Sequence, residues 1–237
     1  MKKIERINGD MIVQVSDVRM VRKPLRIYTK QLEPKEGLEV LYDEGENSGR
    51  AIINPNRFPW VNLRLDPLGK IMRKDQHHHL LHSGYDHFID ILNFMLDKYG
   101  EEAQVMMKNI GDVQWKGRDC WKISLENPDF GFKPYHVKVG ESLIDIADQF
   151  KISEFMILER NKQLKDYDDV STGEEIMIPT DYCKKMILYI EKERNIPMYF
   201  EIHDDLGLYE QYEFSNVAID IPLKKNELTV QYADYGF

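Results

Sequence analysis

Five of the seven histidines fall in one sixteen-residue stretch, "RKDQHHHLLHSGYDHF", residues 73–88. Imidazole is a common metal ligand and titrates near neutral pH, so this density raises the question of metal-dependent chemistry. The stretch contains an H-x-H (His77, His79) and an H-x-x-x-D (His82, Asp86). Both patterns hold zinc in peptidases that cut bacterial cell walls. There, however, H-x-x-x-D comes first and a long stretch follows before H-x-H. Here H-x-H comes first, and two residues separate His79 from His82. On a helix, His78 and His82 would share a face at i, i+4. A catalytic zinc needs a third ligand and an open position, and no H-E-x-x-H is present. The expectation is no metal site but a structural or solvated cluster. It would lie half buried at a sheet edge, with rings that bond carbonyls and cap strands.

Other reactive groups are sparse. Cys120 and Cys183 are the only cysteines, and neither sits in a C-x-x-C. Neither lies at a strand-to-helix elbow or helix start that would lower its pKa. The two could form one disulfide in an oxidising compartment, and the sequence leaves that open. The carboxylates of "DYDD" and "HDD" stand in turn-like polar runs. No nucleophile–base–orienter set is evident, so no enzyme and no cofactor are expected.

The elements that must position these groups begin with strands. "MIVQVSDVRMV" and "LRIYTKQLE" alternate apolar and polar residues, as a half-buried sheet does. "GLEVLYDEGENSGRAIINP" reads as a hairpin around the turn formers "EGENSG", and Pro55, Pro59 and Pro67 then open a loop. "GYDHFIDILNFMLDKYG" changes period. Tyr85, Phe88, Ile89, Leu92, Met95, Leu96 and Tyr99 recur at helical spacing, and Gly100 closes the helix. "GDVQWKGRDCWKISLEN" returns to period two and turns at Lys116-Gly117. Residues 135–179 read as strand, helix, helix, strand. Ser142 and Asp145 form a capping signal for the first helix, and Ser153 caps the second. A meander follows in "KKMILYIEKE", "IPMYFEIHDD" and "GLYEQYEFSNVAIDIPL". The helical unit therefore reads as an insertion between strands of one sheet domain.

The whole chain has 237 residues, is 42% apolar and 31% charged, and carries a net charge of −9. That describes a globular protein and argues against binding nucleic-acid phosphates, so no nucleic-acid partner is expected. The longest apolar run, "MILYI", is too short for a transmembrane segment. The start, "MKKIERINGD", lacks the apolar centre of an intact signal peptide. A first strand that begins almost at once suggests an exported protein with its leader trimmed.

"YHVKVGESLIDIADQFKISEFMILERNKQLKDYDDVSTGEEIMIP" closely resembles a LysM domain. The ordered match runs through Tyr135-x-Val137, Val139-x-Glu141-Ser142-Leu143, Ile146-Ala147, Phe150, Ile152-Ser153, Asn161, Gly173 and Ile176-x-Ile178-Pro179. The resemblance implies binding of peptidoglycan, chitin or other N-acetylglucosamine glycans in a shallow groove between two loops. By position the first loop is Gly140, Glu141, Ser142 and Leu143. The second runs from Asn161, Lys162, Gln163 and Leu164 to Thr172 and Gly173. Leu143, Ile146 and Phe150 are expected in the core. Glu141-Ser142 replaces the commoner Asp-Thr. Residues 135–179 hold five Lys/Arg and ten Asp/Glu, a net of −5, which would be repelled by anionic wall polymers.

The remainder, residues 1–134 plus 180–237, resembles the LolA-like exported proteins. The resemblance rests on "RKPLRIYTKQLEPKEGLEVLYDEGENSGRAIINP", "LDPLGKIMRKDQHHHLLHSGYDHFIDIL" and "MILYIEKERNIPMYFEIHDDLGLYEQYEFSNVAI". It implies an α+β fold, a curved antiparallel sheet (a half-barrel) packed on helices, with the βααβ LysM module inserted. It implies a helix before the first strand and a location in the periplasm or cell envelope. It also implies an apolar hollow for a lipid or lipoprotein-type partner, with Phe88, Leu92, Met95 and Leu96 as cargo contacts. The expected function is that of a non-enzymatic envelope protein tethered to peptidoglycan. The alternatives are a wall hydrolase targeted by its LysM module and a purely protein-binding scaffold.

Overall fold

The computed structural model of the chain describes residues 1–237. Its strands are β1 (Lys2–Ile7), β2 (Asp10–Val21), β3 (Arg26–Glu33), β4 (Glu39–Asp43), β5 (Ala51–Asn54), β6 (Leu63–Leu65), β7 (Met107–Trp115), β8 (Arg118–Glu126), β9 (Phe132–His136), β10 (Glu175–Pro179), β11 (Lys185–Glu191), β12 (Pro197–Asp204) and β13 (Gly207–Glu213). Its helices are α1 (Lys70–Arg73), α2 (Asp86–Tyr99), α3 (Ala103–Met106), α4 (Leu143–Phe150) and α5 (Glu154–Arg160). Eleven strands form one open antiparallel sheet in the order β6-β5-β4-β3-β2-β1-β13-β12-β11-β8-β7. The fold class is α+β, a large antiparallel sheet with few helices.

The turns follow from sequence. Asn8-Gly9 joins β1 to β2 and Lys116-Gly117 joins β7 to β8, with both residues of each pair at positive φ. That is the tight-hairpin conformation that glycine and asparagine adopt at low cost. The predicted hairpin around "EGENSG" is β4–β5. The proline-rich loop also contributes the short edge strand β6, which its composition conceals. The last predicted strand ends early, at Glu213 rather than 223. Asn216 and Asp220 beyond it sit in the left-handed region, which breaks extension. The chain then crosses one sheet face and buries Leu228, Tyr232 and Tyr235 against Tyr28, Leu41 and Ile52. Tyr28 and Tyr235 stack with centroids 3.6 Å apart.

Strand alternation sends Ile27, Tyr42, Ala51 and Ile53 to another cluster, with Met72, Leu80 and Leu81 packed on it. The main core joins Phe88, Ile91 and Met95 of α2 to Leu125, Met186, Leu188, Phe200, Ile202 and Tyr209 of the strands. The helical stripe is therefore centred on Phe88, Ile91 and Met95. Leu92 is half-buried, and the predicted stripe members Ile89 and Leu96 are exposed.

β8 and β11 are hydrogen-bonded neighbours, from Lys185↔Glu126 to Glu191↔Cys120. The chain between them leaves the sheet, builds β9, α4, α5 and β10, and returns. At the neck the Asn127 N–H donates to the Lys184 carbonyl at 2.8 Å. Asp181 there accepts from Asn127, Tyr99 and Lys98 at 2.9, 2.7 and 2.7 Å. Cys120 and Cys183 are both free and buried. Cys120 lies opposite Glu191, while Cys183 precedes Lys185 at the other end of β11. At strand rise the two are about 20 Å apart or more. A disulfide spans only about 4.4–6.8 Å between Cα atoms, so no disulfide links them.

Candidate functional site

The helical excursion holds its own core: Val137, Leu143, Ile146, Ala147, Ile152, Ile157, Leu164, Tyr167, Ile176 and Ile178. Both helices start as predicted. The Ser142 hydroxyl and the Asp145 carboxylate form a reciprocal capping box on α4, and Ser153 accepts from the Met156 N–H at the start of α5. Phe150, predicted as core, is only half-buried and packs at the core's edge, where Tyr135 meets it edge-on at 5.6 Å.

Two loops lie side by side where a glycan would be read. In the first, Val139 is 86% exposed and Gly140 holds φ +79, with nothing within 4 Å of where a Cβ would stand. Backbone is thus open to a ligand here. The Glu141 carboxylate is already engaged, accepting from the Tyr135 hydroxyl at 2.9 Å and the Lys138 N–H at 2.8 Å. The Ser142 hydroxyl is committed to its cap. Leu143 is wholly buried, and its N–H donates to the Tyr167 carbonyl at 2.9 Å, tying the first loop to the second.

In the second loop Asn161 is buried and works internally. Its Nδ2 donates to the Ile157 and Met177 carbonyls, both at 2.7 Å, and its Oδ1 accepts from the Met177 N–H at 2.8 Å. Leu164 is core. Lys162, Gln163, Lys165, Thr172 and Gly173 are exposed. The exposed side chains of this loop include Lys162, Gln163, Lys165, Asp168, Ser171 and Thr172, beside the open backbone of Val139 and Gly140.

The other expected site has a different character. Around α2 the apolar gap lined by Leu92, Met95, Leu96, Tyr99, Met106 and Leu125 has a volume of about 10 Å³. That is the room of about one water molecule, far short of an acyl chain. Phe88 and Met95 are buried in the main core.

Helix α5 packs onto the sheet. Met156 enters the main core. The Ser153 hydroxyl meets the Tyr209 hydroxyl at 2.7 Å. Arg73 and Glu154 form a fully buried ion pair at 2.7 Å, and the Arg73 guanidinium lies 3.4 Å over the Tyr167 ring. Lys70 pairs with Asp166 at 3.0 Å, Arg6 with Glu159 at 3.1 Å and Arg160 with Asp205 at 2.6 Å. Sequence reading missed this seam. Its partners are as many as 81 and 153 positions apart, and no local pattern connects them.

Of the histidines, His77 and His79 are buried at that seam, and His78, His82 and His87 are half-buried beside it. His77 is fully buried between Phe155 and Tyr209, with its nitrogens 3.0 Å from Glu210 and 2.9 Å from the Arg6 carbonyl. Burial pulls the His78 pKa down, but the Glu210 carboxylate 3.1 Å away outweighs it and raises the group to about 9. Burial, reinforced by His78, lowers His87 to about 2. Burial with His82 and Arg73 lowers His79 to about 3. His82 reaches Asp148 of α4 at 3.5 Å.

A family model described as a protein of unknown function, DUF1571, matches residues 1–153, well over half of the chain. The chain belongs to the DUF1571 family. A LysM domain model matches residues 135–179 and overlaps the first match at residues 135–153. This DUF1571 protein therefore contains a LysM domain. No curated protein sequence matches it.

Among solved structures it is similar to a proposed outer membrane lipoprotein-sorting protein domain from Vibrio parahaemolyticus. Identity is 12% over 91% of this chain and 68% of that one, with a TM-score of 0.32. A DUF1329 family protein from Desulfovibrio piger is 8% identical over 97% of this chain and 87% of that one, at 0.33. A LolA superfamily protein from Nitrosomonas europaea is 9% identical over 87% and 66%, at 0.21. Scores this low leave the fold to be described by its own topology.

Proposed function

We propose that this DUF1571 protein is a non-catalytic glycan-binding protein of the bacterial envelope, and that residues 135–179 read peptidoglycan or a related N-acetylglucosamine glycan. One observation carries the reading: an ordered LysM match whose two loops remain open at Val139–Gly140 and at Lys162, Gln163, Lys165 and Thr172. Open backbone can hydrogen-bond an acetamido group, and glycine lets the sugar approach closely. The proposed units are the sheet body, 1–134 plus 180–237, and the module, 135–179. Export to the periplasm fits a wall glycan as ligand, and no helix here is long and apolar enough to cross a membrane. The test is sedimentation of the full chain with insoluble peptidoglycan and with chitin, competed by soluble chitotetraose. Glycan-dependent pelleting supports the reading. A protein that stays in the supernatant with both polymers defeats it, and released muropeptides would favour a hydrolase.

A second reading, a hydrophobic partner such as a lipid or lipoprotein, is favoured by a different place from α2. At the β5–β6 turn Phe58 and Trp60 are 83% and 75% exposed, and Val61 stands beside them. Paired exposed aromatics of this kind are unusual unless something covers them. Vesicles or a lipoprotein should blue-shift Trp60 emission, and a Trp60→Ala variant should lose that shift. A spectrum unchanged by either partner removes this reading.

A further inference from the structure

We propose that His78, His82 and His87 form a site for one divalent transition-metal ion of the zinc class. One ligand nitrogen of each lies within 4.8 Å of those of the other two. Around a tetrahedral zinc bound at about 2.0–2.1 Å, neighbouring nitrogens stand about 3.3 Å apart. Closing the set therefore takes at most about 1.5 Å of movement, within reach of ring rotation.

The hydrogen bonding points the same way. His78 Nδ1, His82 Nδ1 and His87 Nε2 are buried with no protein partner. Buried polar nitrogens are nearly always satisfied, and these three lie together, beside two more on His79. The opposite nitrogens of two of these rings are held. His78 Nε2 lies 3.1 Å from Glu210 and 2.9 Å from the Tyr182 hydroxyl, and His82 Nε2 lies 3.5 Å from Asp148. A carboxylate behind the imidazole fixes its tautomer and raises its basicity, as behind metal-bound histidines generally. The rings of His82 and His87 stack at 3.6 Å with planes 8° apart, so an ion would tilt them until both lone pairs converge.

There is also a route in. A half-open cavity of about 280 Å³ has His87 in its wall, together with Ser83, Glu44 and the paired Arg22 and Asp86. Two neighbouring sets are less apt. In His79, His82 and Glu154 the carboxylate is taken by Arg73, and in Glu5, His77 and Glu210 both His77 nitrogens are bonded. His82 also touches α4 through Asp148, so the ion would sit at the join between sheet and module.

The full chain, stripped with chelator and dialysed, would be titrated with zinc chloride by calorimetry and with cobalt(II) by absorption. The expected result is one ion per chain and a tetrahedral cobalt spectrum. His82→Ala and His87→Ala should weaken zinc at least tenfold, and Asp148→Asn about 10–100-fold, as loss of a supporting carboxylate does. His136→Ala, at an exposed site, should leave affinity unchanged. Circular dichroism checks that each variant folds. If the histidine variants do not fold, the cobalt spectrum of the parent decides, and an octahedral one overturns the site. No stoichiometric uptake, uptake indifferent to His82 and His87, or uptake lost in Glu154→Gln and kept in His87→Ala also overturns it.

Discussion

Asn161 belongs to the LysM motif, yet its side chain is spent inside the module. Its amide is consumed by the end of α5 and by Met177 of β10. Asn161→Ala would strand buried backbone groups, each worth about 1–3 kcal/mol. The expected loss is about 2–4 kcal/mol in a urea denaturation, with glycan affinity unchanged where the protein is folded. A stable variant that no longer bound glycan would reverse that assignment. Arg73 and Glu154 make a second residue-scale case. Removing one partner of a buried pair leaves an uncompensated charge, so Arg73→Met alone should cost about 3–5 kcal/mol. Arg73→Met with Glu154→Leu should recover most of it, since two apolar side chains leave no charge behind. A single variant within about 1 kcal/mol of the parent would show that the pair does not hold the seam.

At the scale of elements, what was legible was local. The capping box at Ser142, the Ser153 cap and the Lys116-Gly117 turn could each be read within four residues, because hydrogen-bonding chemistry fixes them there. Ser142→Ala should therefore cost about 1 kcal/mol, measured as a shift in the denaturation midpoint. A neutral outcome would mean that packing alone sets the start of α4. The face of α2 was legible only in part. Its period gave the stripe, but burial at Ile91 and 40% exposure at Leu96 depend on where the sheet and module lie. What packs beside this helix was hidden for the same reason. Met156 of α5 enters the main core, and nothing near residue 95 announces it. The groove loops were placed by motif order, while the internal commitments of Glu141, Asn161 and Leu164 needed coordinates.

The whole molecule behaves as more than a module on a tether. Helix α5 shares Met156 with the main core, and the buried pair, the histidine seam and the Arg6–Glu159 contact all cross between sheet and module. Calorimetry should accordingly show one cooperative unfolding transition, with calorimetric and van't Hoff enthalpies equal. Two resolved transitions would mean that the module unfolds by itself. This sharing also sets how glycan binding must be measured, since an isolated 135–179 fragment would expose the surface that α5 buries. The most direct measurement is a ¹⁵N–¹H titration of the full chain with chitotetraose and with a soluble muropeptide. A shallow groove on one module should give micromolar-to-millimolar affinity. The expected shifts are confined to residues 139–143 and 162–173 and are weakened by a Lys162→Ala, Gln163→Ala double substitution. Spectra unchanged at millimolar sugar, or shifts that appear only outside those two loops, would contradict the assignment of this LysM domain as the glycan-reading part of the protein.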